Sequence, residues 1–127
     1  MKFDIVVNNA GYADVQDNFD KITDINYAKR TINTNTIGTM NLTKKLLPFL
    51  SHNCRIVNVS STLGALNRQS QQVRNRFGNP NISEQDILDG VKEYLEAAEK
   101  GNMENWYIHV YCTSKMLLNA WSRFILQ

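Results

Sequence analysis

Phe3-Asp4-Ile5-Val6-Val7-Asn8 is a short run rich in valine and isoleucine that breaks at Asn9-Ala10-Gly11, and Arg55-Ile56-Val57-Asn58-Val59-Ser60 is a second. Runs of this length bounded by turn residues read as strands, and the continuous apolar character of the first predicts burial on both faces, as in a parallel sheet. Between them, Asp24–Leu50 carries a helical period through Ile25, Ile32, Met40, Leu46 and Leu47, with Asp24 placed to cap its start and Pro48 to mark its end. Residues 12–23 are polar and irregular. Strand, long helix, strand is a βαβ unit, whose crossover is right-handed.

Downstream, residues 62–82 hold Gln, Asn, Ser, one Pro and two Gly, and read as a long loop. Ser83-Glu84-Gln85-Asp86 is a capping box of the Ser-x-x-acid kind. Ile87, Leu88, Val91, Tyr94, Leu95 and Ala98 follow at helical spacing, with Gly101 as the stop. A last helix is expected over Tyr111–Leu126, its apolar face made by Leu117, Leu118, Trp121, Phe124 and Ile125. No internal repeat and no linker divides the chain. Two parallel strands cannot stand alone, because both edges expose unpaired backbone groups and the sheet is too narrow for several helices. The expected fold class is therefore α/β, a partial doubly wound sheet with a βαβ core, an inserted helical segment and a final helix.

Composition narrows the function classes. With 127 residues, 43% hydrophobic and 20% charged, the chain is too apolar for a disordered tail. A net charge of +2 is too small to argue for nucleic acid or an acidic membrane. The apolar stretches are far short of the roughly 20 residues a membrane helix needs, and Asp4 stands where a signal peptide would carry its apolar core. Cys54 and Cys112 do not make a disulfide framework and, with His52 and His109, lack metal-ligand spacing. No metal and a reducing, cytoplasmic setting are expected. The Asn-x-Ser/Thr matches at Asn41, Asn58 and Asn81 read as chance, two of them lying inside a predicted helix and a predicted strand. Arg68, Arg74 and Arg76 make a basic stretch before the acidic helix that begins at Glu84, and the two are expected to neutralise each other or lie in solvent.

Three signals fall at strand ends or helix starts, where open α/β sheets place ligands. They are Asn8-Asn9-Ala10-Gly11, Ser60-Ser61, and Tyr111-Cys112-Thr113-Ser114-Lys115. Tyr-x-x-x-Lys alone is a weak match; three signals in this order are strong. In that order they resemble the short-chain dehydrogenase/reductase family, whose Asn-Asn-Ala-Gly motif is matched by Asn8–Gly11. Thr34-Asn35-Thr36-Ile37-Gly38-Thr39 is similar to its helix-asparagine segment, and Ser61, Tyr111 and Lys115 complete its tetrad. Ser61 and Tyr111 stand 50 residues apart, where most members have about a dozen. A gap of this size, with the Gln71–Phe77 stretch and Trp106 before the tyrosine, resembles the branch of animal carbonyl reductases and plant menthone and salutaridine reductases.

The resemblance implies a Rossmann-type fold, with residues 1–127 the central and catalytic segment of one domain, no second domain, and 62–110 as the branch's insertion. It implies NADP(H)-dependent reduction of a small carbonyl compound to an alcohol by a monomeric parent enzyme. Such a reaction needs an acid at the carbonyl oxygen. Lowering the pKa of a tyrosine by about three units, from near 10, takes roughly 4 kcal/mol. An ammonium about 4 Å away supplies that only where water is largely excluded. By resemblance Tyr111 donates the proton, Lys115 lowers its pKa and binds cofactor ribose, Ser61 polarises the carbonyl, and Asn35 holds a water that links Lys115 to solvent. Asn8, Asn9, Ala10 and Gly11 flank the cofactor, as do Tyr111 and Lys115. Ser60 competes with Ser61, and Ser61 also reads as a helix cap; Asn35 also reads as tolerated in a helix.

The family's glycine-rich pyrophosphate turn has no counterpart in these residues, nor do its sixth strand and substrate loop. The expectation is a catalytic segment incomplete at both ends and inactive alone. The alternative is a short non-catalytic protein that keeps the half-fold as an interaction module.

Overall fold

The computed structural model describes residues 1–13, 24–107 and 109–125. Most of the irregular stretch expected over 12–23, and Leu126 at the expected end of the last helix, lie outside them. Strand β1 spans Phe3–Asn8 and β2 spans Leu50–Asn58, paired in parallel as the sequence predicts. The regular register runs from Ile5 opposite Arg55 to Asn8 opposite Asn58. Strand β2 begins earlier than Arg55, because the polar residues after Leu50 form an irregular entry between the Phe3 and Ile5 pairings.

The crossover is interrupted. Helix α1 covers Ile25–Ile32, a wide π-helical turn covers Asn33–Gly38, and α2 covers Thr39–Leu46. Asp24 caps α1 by accepting from the Asn26 N–H at 2.8 Å, and Pro48 sits in the 3-10 turn Leu47–Phe49 that closes the crossover. Both boundary residues act where the sequence puts them. A π turn closes its ladder one residue later than an α turn and frequently occurs at functional sites.

Burial of β1 on both faces is not observed. Ile5 is 61% and Val7 56% exposed, and Phe3, Val57 and Val59 are also open. Among the described residues the helices cover one side of the sheet, so the alternate positions face outward.

Residues 62–82 are not one loop. Two 3-10 turns, Thr62–Gly64 and Leu66–Arg68, lead into helix α3 at Gln71–Phe77, capped by Ser70 accepting from the Val73 N–H at 3.3 Å. Helix α4, Glu84–Lys100, begins with the expected capping box and stops at Gly101, whose φ of 69° is left-handed. Helix α5 runs Val110–Ile125. The core lies between helices: Tyr27, Ala28 and Ile32 of α1, Phe77 of α3, Ile87, Val91 and Tyr94 of α4, and Leu117, Leu118 and Trp121 of α5. Gly90 makes this packing possible, since a Cβ there would lie 2.4 Å from Phe77 Cζ. Glu84 anchors the start of α4, accepting from Trp121 Nε1 at 3.3 Å and pairing with Lys44 at 3.0 Å. Arg76 pairs with Glu93, so the basic and acidic halves of this stretch do meet.

Candidate active site

Lys115 is the residue around which the site assembles. It sits on the second turn of α5, only 3% exposed, one turn after Tyr111. Its ammonium donates to the Val59 carbonyl at 3.0 Å and lies 5.8 Å from the centre of the Tyr111 ring. Among the described residues no carboxylate pairs with it. Burial pushes its pKa below the ordinary 10.5, because a desolvated ammonium is disfavoured against its neutral form.

Ser61 comes to this place through Gly64. A Cβ on Gly64 would lie 2.8 Å from Lys115 Cβ, so only glycine lets the 62–64 turn rest directly on α5. The Ser61 hydroxyl accepts from the Leu63 N–H at 3.1 Å, which is the cap reading. A hydroxyl can accept and donate at once, and among the described residues its own hydrogen has no acceptor. Ser60 Oγ is instead buried and has no partner among the described residues. The Tyr111 side chain is half-buried, with the His109 ring edge-on at 6.5 Å, and its hydroxyl has no partner among the described residues.

Asn35 lies in the π turn, fully buried. Its side chain is committed to protein: Oδ1 accepts from the Tyr12 N–H at 2.8 Å, and Nδ2 donates to the Tyr12 carbonyl at 2.9 Å and to Ser114 Oγ at 3.0 Å. Thr36 Oγ1 donates to the Ser114 carbonyl at 2.9 Å, so the π turn fastens α5 beside Lys115. Tyr12 follows the Asn8–Gly11 motif, which Asn35 thereby holds against the same helix.

Within that motif Asn8 points inward. Its Nδ2 donates to Thr43 Oγ1 at 2.9 Å and to Asn58 Oδ1 at 2.7 Å, and Asn58 Nδ2 donates to Ser122 Oγ at 2.8 Å. One row of polar side chains thus braces α2, both strands and α5. Asn9, Ala10 and Gly11 are exposed at the end of β1. Asn9 and Ala10 border a cavity of about 310 Å³ that Thr34, Gly38, Thr39 and Leu42 close from the crossover. Without a side chain, Gly11 leaves open the space beside Lys115 Nζ and Asn35 Oδ1; a Cβ would sit 3.7 and 3.6 Å from them.

The model of the short chain dehydrogenase family matches residues 1–73, more than half of the chain. The chain belongs to this family. Carbonyl reductase [NADPH] 1 of Sus scrofa is 34% identical over 125 residues, covering 94% of this chain and 42% of that protein. Carbonyl reductase [NADPH] 3 of Rattus norvegicus is 33% identical over 128 residues, 95% of this chain and 44% of that protein. The chain thus spans less than half the length of these curated relatives. Salutaridine reductase from Papaver somniferum superposes with a TM-score of 0.84 at 27% identity, over 98% of this chain and 54% of that one. Menthone neomenthol reductase from Mentha piperita gives 0.83 at 26%, over 98% and 56%. The chain is thus a carbonyl reductase-like member, and its α/β fold with parallel strands is that of the reductases it matches.

The geometry adds parts of the candidate site that the motifs do not reveal. Val59 contributes only a backbone carbonyl, which no sequence pattern marks. Ser114 and Gly64 matter through contacts made 79 residues apart in one case and 51 in the other, by numbering. No helix among the described residues is long and apolar enough to cross a membrane. No group of three metal-binding side chains occurs among them either.

Proposed function

We propose that residues 1–127 carry the proton-transfer end of an NADP(H)-dependent reduction of a carbonyl compound to an alcohol. The observation that supports this best is the buried Lys115 ammonium, held by the Val59 carbonyl and facing the Tyr111 ring with no carboxylate beside it among the described residues. Leaving a charged group so poorly compensated costs stability, and such costs concentrate at functional sites.

Tyr111 gives its hydroxyl proton to the carbonyl oxygen as general acid. Lys115 stabilises the phenolate left behind, and the low dielectric of its setting strengthens that attraction. Ser61, its acceptor side tied to Leu63, donates its free hydrogen to the same carbonyl oxygen. Asn35 positions this pair by fastening Tyr12 and Ser114. Both hydrogens of its amide are taken, so a water linking Lys115 to solvent rests on an Asn35 oxygen, not on the amide N–H groups.

The residues fit the end of a nicotinamide cofactor. Gly11 leaves room at the Lys115 ammonium for a ribose hydroxyl, and the cavity beside Asn9 and Ala10 is large enough for part of a dinucleotide. Bound there, NADP(H) supplies the hydride. Asn9, Ala10 and Gly11 border it, Asn8 braces the sheet beneath, and Lys115 holds the ribose. The whole chain is one central domain segment with 62–110 as the insertion. The packing of α4 against α1 and α5 covers helical surface otherwise open to a second subunit, which supports a monomeric parent.

The test is NADPH consumption with a panel of ketones and quinones by the transcript-encoded protein that contains residues 1–127. Tyr111→Phe should abolish turnover while NADPH binding, measured by calorimetry, stays within a fewfold. Full activity of Tyr111→Phe would refute the assignment.

A further inference from the structure

Gln69 closes a buried ring of hydrogen bonds against the helix that carries Tyr111 and Lys115. It is only 5% exposed, and its position, in a polar run between a 3-10 turn and α3, suggests a surface residue. Yet Gln69 Nε2 donates to Thr113 Oγ1 at 3.1 Å, and Gln69 Oε1 accepts from the Tyr107 N–H at 3.1 Å. Thr113 Oγ1 then donates to the Tyr107 carbonyl at 3.3 Å. Thr113 lies between Tyr111 and Lys115 and is fully buried. The neighbouring Ser70 donates to the Asn105 carbonyl at 2.8 Å, a second clamp on the same returning segment that does not touch α5.

We infer that Gln69 is a positioning residue that sets the aim of Tyr111 toward Lys115. It does so by locking the Tyr107 backbone, which leads into α5, to Thr113 in its first turn. The inference rests on the reading of Tyr111 and Lys115 as the proton-transfer pair. Physically, the ring joins three pieces of chain that a 50-residue excursion would otherwise leave independent. A buried amide with its partners in place has one favourable orientation, since any rotation strands a desolvated donor or acceptor. The first turn of a helix lacks intrahelical partners for its N–H groups and is its least constrained part, so an outside clamp there decides where an early side chain points.

The readout is the ring-current displacement of the Lys115 Cε methylene resonance by the Tyr111 ring, observed by NMR on the transcript-encoded protein that contains residues 1–127 and assigned with Lys115→Met and Tyr111→Leu. Gln69→Leu and Thr113→Val should each remove most of that displacement, and the double variant no more than either alone. Gln69→Glu keeps the acceptor for the Tyr107 N–H but competes with the Tyr107 carbonyl for the single Thr113 hydroxyl hydrogen, so it should recover only part of the displacement. Ser70→Ala, which removes the Asn105 clamp and the α3 cap but no bond of the ring, should leave it unchanged. A displacement untouched by Gln69→Leu, or two single effects that add, would overturn the inference. Should Gln69→Leu fail to fold, Thr113→Val alone decides, because its isosteric change removes the same link. The outcome is separable from catalysis: active Tyr111→Phe would sink the proposed function and leave these spectra as they are.

Discussion

Lys115 Nζ and the Val59 carbonyl are joined at 3.0 Å, which ties the helix bearing the candidate acid to the backbone just past the end of β2. Two residues further on stands Ser61. This bond, together with Gly64 packed on the same helix, sets the distance between the segment that would polarise a carbonyl and the helix that would protonate it.

The burial of Lys115 gives a pH-dependent signature. Its folded pKa lies below the ordinary 10.5. Between that lowered value and 10.5 the unfolded chain binds more protons, so stability rises with pH across this window. Below the window the full cost of burying the charge is present. Lys115→Met removes the cost, and thermal melts should show a higher Tm than wild type at neutral pH. The advantage should shrink as pH rises toward 10.5; an advantage that grows with pH would contradict the account.

Gly90→Ala tests the packing of α4. Alanine is the better helix former by about 1 kcal/mol, so propensity alone predicts stabilisation. The added Cβ would lie 2.4 Å from Phe77 Cζ, with the ring fully buried. Overpacking of this kind costs about 1–3 kcal/mol and should win. Urea unfolding should show a lower midpoint, and Phe77→Leu in the same chain should recover part of it.

The polar row through Asn8 makes a third prediction. Asn8→Ala leaves Thr43 and Asn58 without their shared donor in a part-buried place. The expected loss is about 1–3 kcal/mol. Hydrogen exchange should show faster opening at the Val59 amide, which donates to the Asn8 carbonyl at 3.0 Å.

Acid should weaken the start of α4. The Ser83 N–H and hydroxyl hold the Asp86 carboxyl below its ordinary 3.8. A depressed carboxylate contributes stability that is complete above 3.8 and is lost as pH falls through the lowered folded value. Ser83→Ala should cost about 1 kcal/mol at neutral pH as a lost cap. The gap between variant and wild type should narrow in acid, where the wild type loses its Asp86 bonds as well.

Local chemistry made part of this fold readable. Asp24, Ser83 with Asp86, and Gly101 act within one turn of themselves, so their residue types announce the helix ends they make. The regular strand pairing begins at Arg55 because the apolar run begins there, while the irregular Leu50–Cys54 entry has no such pattern. Helix α3 was hidden by having only Val73 and Phe77 as apolar positions; Ser70 before Gln71 was its available signal. Candidate tetrad positions could be proposed from motif order, but the contacts around them could not. Asn35 reaches Tyr12 and Ser114, and Gln69 reaches Thr113, through tertiary contacts that leave no periodic trace.

The wide turn at Asn33–Gly38 has a consequence for how this chain tolerates change in length. Losing one residue there would let the ladder close as an uninterrupted α-helix, with better hydrogen bonds and lower local energy. The same deletion would swing Asn35 about 100° around the axis, off both Tyr12 and Ser114. A shorter crossover would thus be a sturdier rod and a disassembled site. The extra residue acts as a spacer whose removal selection for stability alone would favour and selection for chemistry would forbid.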